Sequence, residues 1–297
     1  MSSFKLSLLL AVGLFTSAAV AQMSTEPVRD TALVEVKADQ VPTEGISEKG
    51  KIALQILPNK WKVAETPHFY VHFRRMTEAR KVAREIEFNL GIIAQQLGAK
   101  PEQYAAKSHV YVFEDAGEWA DFISKVEMPA WTASFAYGDE LFLNVRGQDG
   151  GPFDSQTLAH ETTHAIISRI YERRRWPLWL NEGFSEYMGS AAVAARKNQT
   201  LKRFQNKLKI ADMPLAELVK LQAYPTDPAD VGRLYQTGEK FVRFLMAKGT
   251  GPQFVAFVDA LIAGQTIEQA IAANYQNVFP TFEKFETEFN KYSGTRG

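Results

Sequence analysis

The stretch His160-Glu161-Thr162-Thr163-His164, followed downstream by Asn181-Glu182-Gly183-Phe184-Ser185-Glu186, constrains this chain more than any other feature. On a helix, His160 and His164 lie one turn apart on the same face, where two imidazoles can grip one small cation. Glu161 then lies beside them, placed to take a proton from a metal-bound water. A third ligand is needed, and none of the five histidines follows His164. The longer H-E-x-x-H-x-x-G-x-x-H pattern is excluded, because Ile167 and Ile170 hold its Gly and third His positions. A carboxylate remains, and Glu182 is the best placed. Two His and one Glu leave a fourth position open, the composition of a catalytic zinc site. Structural zinc sites are usually closed by Cys, and this chain has none. The expected cofactor is one Zn2+ per chain.

With Trp179-Leu180-Asn181-Glu182-Gly183-Phe184-Ser185-Glu186-Tyr187 included, the pair of segments resembles the gluzincin metallopeptidases, the superfamily of thermolysin and aminopeptidase N. The resemblance is strong over about 155–245. It implies that Glu182 is the third zinc ligand and that Glu186, four positions on, orients His160 through its other ring nitrogen, as ligand imidazoles require. It further implies that Tyr235, opening Tyr235-Gln236-Thr237-Gly238, steadies the transition-state oxyanion. An edge strand before the zinc helix would receive the substrate backbone by strand addition, a role open to Phe135–Tyr137 or Leu141–Asn144. The spacer between the two motifs is one residue shorter than in the aminopeptidases, and no Gly-x-Met-Glu-Asn segment precedes the zinc helix. Endo- and exopeptidase action therefore both stay open.

Elsewhere the sequence reads as an exported globular protein. Met1–Ala21 has the pattern of a secretory signal peptide: Lys5, a short apolar run through Phe15, then Ala19-Val20-Ala21. The run is too short for a good membrane span. A periplasmic or secreted bacterial protein without disulfides fits best, with no stable span after signal cleavage. Lys and Arg number 34, as do Asp and Glu, so bulk electrostatics argue against a nucleic-acid partner. A peptide or protein substrate is the expected partner.

Residues 22–50 lack helical or strand period and read as a flexible lead-in or an extended segment lying on the domain. An α+β lobe is expected over 51–195, carrying both the zinc helix and the third-ligand helix. Residues 68–73 alternate as a half-exposed strand with His68, Tyr70 and His72 on one face. A helix capped by Thr77 runs to about Leu97, and Val110 to Phe113 form a strand. A short helix spans Asp115 to Ser124 with Trp119 and Phe122 inward. A hairpin pairs Ala133–Tyr137 with Leu141–Val145 across Gly138-Asp139. Gly147 to Pro152 is a connector or mobile rim. Asp154 or Ser155 caps the zinc helix, which ends near Tyr171, and Arg173-Arg174-Arg175 complements its C-terminus. Pro177 opens the next helix as its first residue. Residues 196–297 read as a helical lobe, with segments near 196–209, 213–222, 231–248, 251–263, 266–274 and 280–292. Phe241, Phe244 and Leu245 are expected in its core.

The expected fold is therefore α+β: a mixed, partly antiparallel sheet packed on helices, then a helical C-terminal lobe, with the active-site cleft between them. The expected function is a secreted or periplasmic zinc peptidase, with Glu161 as base and Tyr235 as oxyanion partner. The same ligands admit a metal-dependent hydrolase of a non-peptide amide or ester. The fold also admits a non-catalytic binding or scaffold module.

Overall fold

The computed structural model describes residues 32–292, apart from 57, 59, 147–153 and 202–209. The signal-peptide reading and the Gly147 to Pro152 connector lie largely or wholly outside the described residues. So does most of the expected helix over 196–209.

A mixed six-stranded sheet forms the frame, in the order β1-β2-β3-β4-β6-β5. Its strands are β1 (Val34–Val36), β2 (Lys62–Glu65), β3 (Phe69–Phe73), β4 (Ser108–Phe113), β5 (Ser134–Tyr137) and β6 (Glu140–Asn144). β1, β2 and β3 are antiparallel neighbours, β3, β4 and β6 run parallel, and β5 returns antiparallel on β6. The hairpin turns on Gly138 and Asp139 as expected. Gly138 adopts φ +61, which only glycine reaches without cost. β5 is thereby the last strand of the sheet and has an outer edge, while β6 lies between β4 and β5.

Both faces of the sheet are covered. On one face, α1 (Glu48–Ile56) and α3 (Ala116–Lys125) enclose an aromatic cluster of Tyr111, Phe113, Trp119, Phe122, Phe135 and Phe142. On the other, α2 (Met76–Gln96), α4 (Ser155–Ile170) and α5 (Leu178–Arg196) pack against Phe69, Val71, Val110, Val112, Leu141 and Leu143. The same core continues into α6 (Leu215–Leu218), α7 (Pro228–Lys248), α8 (Gly251–Ile262), α9 (Ile267–Tyr275) and α10 (Phe282–Lys291). Phe241, Phe244 and Leu245 are fully buried in it. The α+β class is as expected.

Several local expectations need correction. β3 is not half-exposed: His72, on its second face, is packed against Trp61, His109 and Tyr111 and only 3% exposed. His68 precedes the strand and turns to Glu87 on α2, 2.8 Å away, while His72 faces His109 on β4. α2 has Arg75 at its N-cap, with no side-chain cap, rather than Thr77. Pro177 is the N-cap of α5 rather than its first residue. Part of the expected lead-in is structured: residues 34–36 add a strand to β2, and α1 begins at Glu48. Of the three arginines, Arg174 donates to the Tyr171 carbonyl at the end of α4, while Arg173 reaches Asp139 at the hairpin turn.

Candidate metal centre

α4 is started by Asp154, whose carboxylate accepts from the N–H groups of Gln156 and Thr157. Leu158, Ala159, Ala165, Ile166 and Ile170 sink one face into the core. Thr162 and Thr163 are also buried, and each hydroxyl donates to the carbonyl four residues back at 2.7 Å. No polar group of the two threonines is left wanting in the interior. With those positions committed to the core, His160 and His164 emerge together beside α5.

α5 and α7 are held unusually close. A Cβ on Gly183 would stand 2.7 Å from the Gly238 Cα, and one on Gly238 would stand 2.7 Å from the Trp179 carbonyl oxygen. Glycine on both helices thus lets the backbones touch. That crossing seats Glu182 opposite α4 and brings Tyr235, one turn before Gly238, to the same site. Gly189 makes a similar approach to Gln156 on α4, where a Cβ would stand 3.0 Å from the carbonyl oxygen.

The three proposed ligand atoms converge. His160 Nε2 and His164 Nε2 are 3.0 Å apart, and Glu182 Oε2 lies 3.4 Å from the first and 3.5 Å from the second. A tetrahedron around zinc with bonds of about 2.1 Å has edges of about 3.4 Å, so this triangle fits one face of it. Glu182 is 1% exposed, and its Oε2 makes no hydrogen bond. A buried carboxylate oxygen without a hydrogen bond favours a counter-charge, which a bound cation or the charged forms of the two imidazoles would supply. Among the described residues, His160, His164 and Glu182 are the one group of His, Asp and Glu side chains disposed to hold a metal ion.

The surrounding groups hold each of these three side chains from behind. Glu186 Oε1 is 3.1 Å from His160 Nδ1, an ion-pair distance off the ideal hydrogen-bond direction. Ser185 Oγ is 3.2 Å from His164 Nδ1. The Tyr224 hydroxyl donates to Glu182 Oε1 at 2.6 Å. Glu161 accepts from the backbone N–H of Ala136 on β5, at 3.0 Å through Oε2. The Tyr235 ring lies 6.0 Å from that of His160 and 6.5 Å from that of Tyr224, centroid to centroid. All six residues named from the sequence are therefore brought to one place.

The electrostatics favour positive charge here. Burial lowers the His160 imidazole, but the carboxylates of Glu182, Glu186 and Glu161 outweigh it and raise it to about 10. His164 is likewise raised, burial opposing and Glu182 prevailing. Burial pushes the Glu182 carboxyl up, yet the two imidazoles hold it well below the usual range. Glu161 goes the other way: burial raises it, with Glu182 adding repulsion, against the pull of both histidines. Burial and Glu182 also raise the Tyr235 phenol.

Tyr224, Ser185 and the Ala136 N–H were not singled out in the sequence. Ser185 was within reach, because Glu182, Ser185 and Glu186 share one helix face at i, i+3 and i+4. Tyr224 sits among turn residues before Pro225, outside any periodic pattern, so nothing local announces it. A backbone donor leaves no sequence signal. No protein-family model matches the chain, and no curated protein matches it.

Proposed function

We propose that this protein is an exported zinc-dependent peptidase, with His160, His164 and Glu182 holding one zinc ion. The observation that carries the reading is the convergence of two imidazole nitrogens with the hydrogen-bond-free Oε2 of Glu182. Two imidazoles and one carboxylate suit zinc, and three protein ligands leave a position open to chemistry. Bound there, the ion supplies Lewis acidity and a water acidified towards neutral pH.

The chain's own groups complete the reaction. Ala136 pins one oxygen of Glu161, leaving the other to accept a proton from the attacking water and pass it to the leaving amine. Burial shifts its carboxyl upward, which favours proton uptake. Tyr235 keeps its phenolic proton in this environment and is the donor available to a developing oxyanion.

A peptide is favoured over other amides because β5 ends the sheet beside Glu161. The register Tyr137↔Glu140, Phe135↔Phe142 turns the Ala136 N–H away from β6, onto the outer edge where Glu161 meets it. An extended backbone laid along that edge would lie over the reacting groups. Among the described residues no helix is long and apolar enough to cross a membrane. Export rests on the N-terminal sequence pattern and the absence of cysteine.

The test pairs elemental analysis of untagged protein with hydrolysis of a peptide library. One zinc per chain is expected. Glu161→Gln should retain the zinc and lower peptide turnover by about 10²-fold or more. Full turnover in Glu161→Gln would sink the catalytic assignment. Zinc uptake with no peptide cleavage, but with hydrolysis of simple amides or esters, would move the substrate class. Zinc uptake without any hydrolysis would favour a binding module.

A further inference from the structure

We infer that Tyr224 is a positioning residue for Glu182: its hydroxyl occupies one carboxylate oxygen so that only the other is presented to the metal. This rests on the metal-site reading above. The segment carrying it links α6 to α7 and is anchored at both ends, by fully buried Leu218 and by Asp227, which caps α7 through the Ala229 N–H. From that strap the side chain reaches back to a residue 42 positions earlier, donating to Glu182 Oε1 at 2.6 Å. The two oxygens of one buried carboxylate thus have different fates. Oε1 has a short, strong partner, as expected of a donor to an ionised acceptor, and Oε2 has no hydrogen bond and faces both imidazoles.

The division has a chemical consequence. A carboxylate with both oxygens free can turn and bind a cation through the pair, filling a position that an attacking water or a substrate carbonyl needs. Holding Oε1 elsewhere enforces single-oxygen binding and keeps the site three-liganded on the protein side. Tyr224 is 52% exposed as a residue, with its hydroxyl on Glu182 and its ring beside that of Tyr235.

Tyr224→Phe isolates the hydroxyl, since the ring and its neighbour Tyr235 remain. Zinc affinity by chelator competition, and coordination number by X-ray absorption, should be measured on wild type, Tyr224→Phe and Asp227→Ala. Asp227→Ala loosens the strap without touching Glu182. Tyr224→Phe should weaken zinc binding by about 10–100-fold, and the zinc it does bind should gain a ligand oxygen. Asp227→Ala should bind zinc within threefold of wild type. Zinc affinity and coordination in Tyr224→Phe equal to wild type would overturn the inference while leaving the metal site intact. Weaker zinc binding in Tyr224→Phe with no gain of a ligand oxygen would reduce Tyr224 to part of an ordered loop and overturn it as well. A wild-type chain that takes up no zinc removes the metal-site reading itself, and this inference with it.

Discussion

Glu182 and Glu186 are one helical turn apart and chemically identical, yet their surroundings separate them. Glu182 presents an oxygen to both Nε2 atoms, whereas Glu186 meets only the far nitrogen of His160. On the proposed metal site, removing Glu182 would take away a ligand, and removing Glu186 only the group that orients one. Glu182→Ala should therefore abolish stoichiometric zinc at micromolar metal. Glu186→Ala should still bind it, about 10–100-fold more weakly. Chelator competition on both variants checks the order, and a larger loss from Glu186→Ala would reverse the roles. At this scale the site was legible in the sequence. Spacing alone puts His160 with His164, and Glu182 with Glu186, on shared helix faces; the roles expected of Glu186 and Tyr235 came from the resemblance to the gluzincins. Tyr224 was not legible, because its contact spans 42 positions from a segment without period.

The element that most governs the site is the crossing of α5 and α7 at Gly183 and Gly238. Gly183→Ala would drive a methyl group into the Gly238 backbone, which has no flexible end to yield. The helices would have to separate, at a cost of about 1–3 kcal/mol or more, as overpacked cores show. Glu182 and Tyr235 would be carried apart with them. Gly91 is the control: it lies mid-helix in α2, exposed, and a Cβ there meets nothing within 4 Å. Gly91→Ala should stabilise by about 0.5–1 kcal/mol through helix propensity alone. Urea unfolding of the two variants checks both signs, and a neutral Gly183→Ala would show that the helices are not held by this contact. The hairpin, α3 and the start of α4 were readable because turn residues and caps act locally. β1, and the burial of β3 on both faces, were not, since each depends on partners brought from elsewhere in the chain. The alternation in β3 is real, with Tyr70 and His72 on one face, but His72 on that face is buried against Trp61, His109 and Tyr111.

For the molecule as a whole, that covered face sets the response to acid. His72 Nε2 lies 2.9 Å from His109 Nδ1, and the pair is stacked among Trp61, Tyr70 and Tyr111, so one ring must donate and the other accept. Around it stand Tyr111 hydrogen-bonded to Glu140, Asp139 near His109, and Lys107 over the Tyr70 ring. Burial first, and then His109, lowers His72 to about 3; burial lowers His109 to about 4, against a modest pull from Asp139. Both folded-state values lie below the unfolded value of about 6.5. The unfolded chain therefore binds more protons than the native one between these limits, and stability falls as pH drops below about 6.5. Each histidine contributes a slope of up to about 1.4 kcal/mol per pH unit. His160, raised to about 10 without metal, acts oppositely: its contribution is lost as pH rises towards 10 and is constant below 6.5. The window from pH 6 to 5, with chelator present, covers the pair's response; the upward-shifted Glu140 and Glu161 also respond there, so the pair's share is the difference from a variant lacking both imidazoles. Urea midpoints of wild type should fall steeply across it. The double variant His72→Phe, His109→Phe keeps aromatic rings in the stack and should show a much flatter profile. A wild-type profile as flat as the variant's would mean that the pair takes up protons without unfolding the sheet around it, which its burial among Trp61, Tyr70 and Tyr111 opposes.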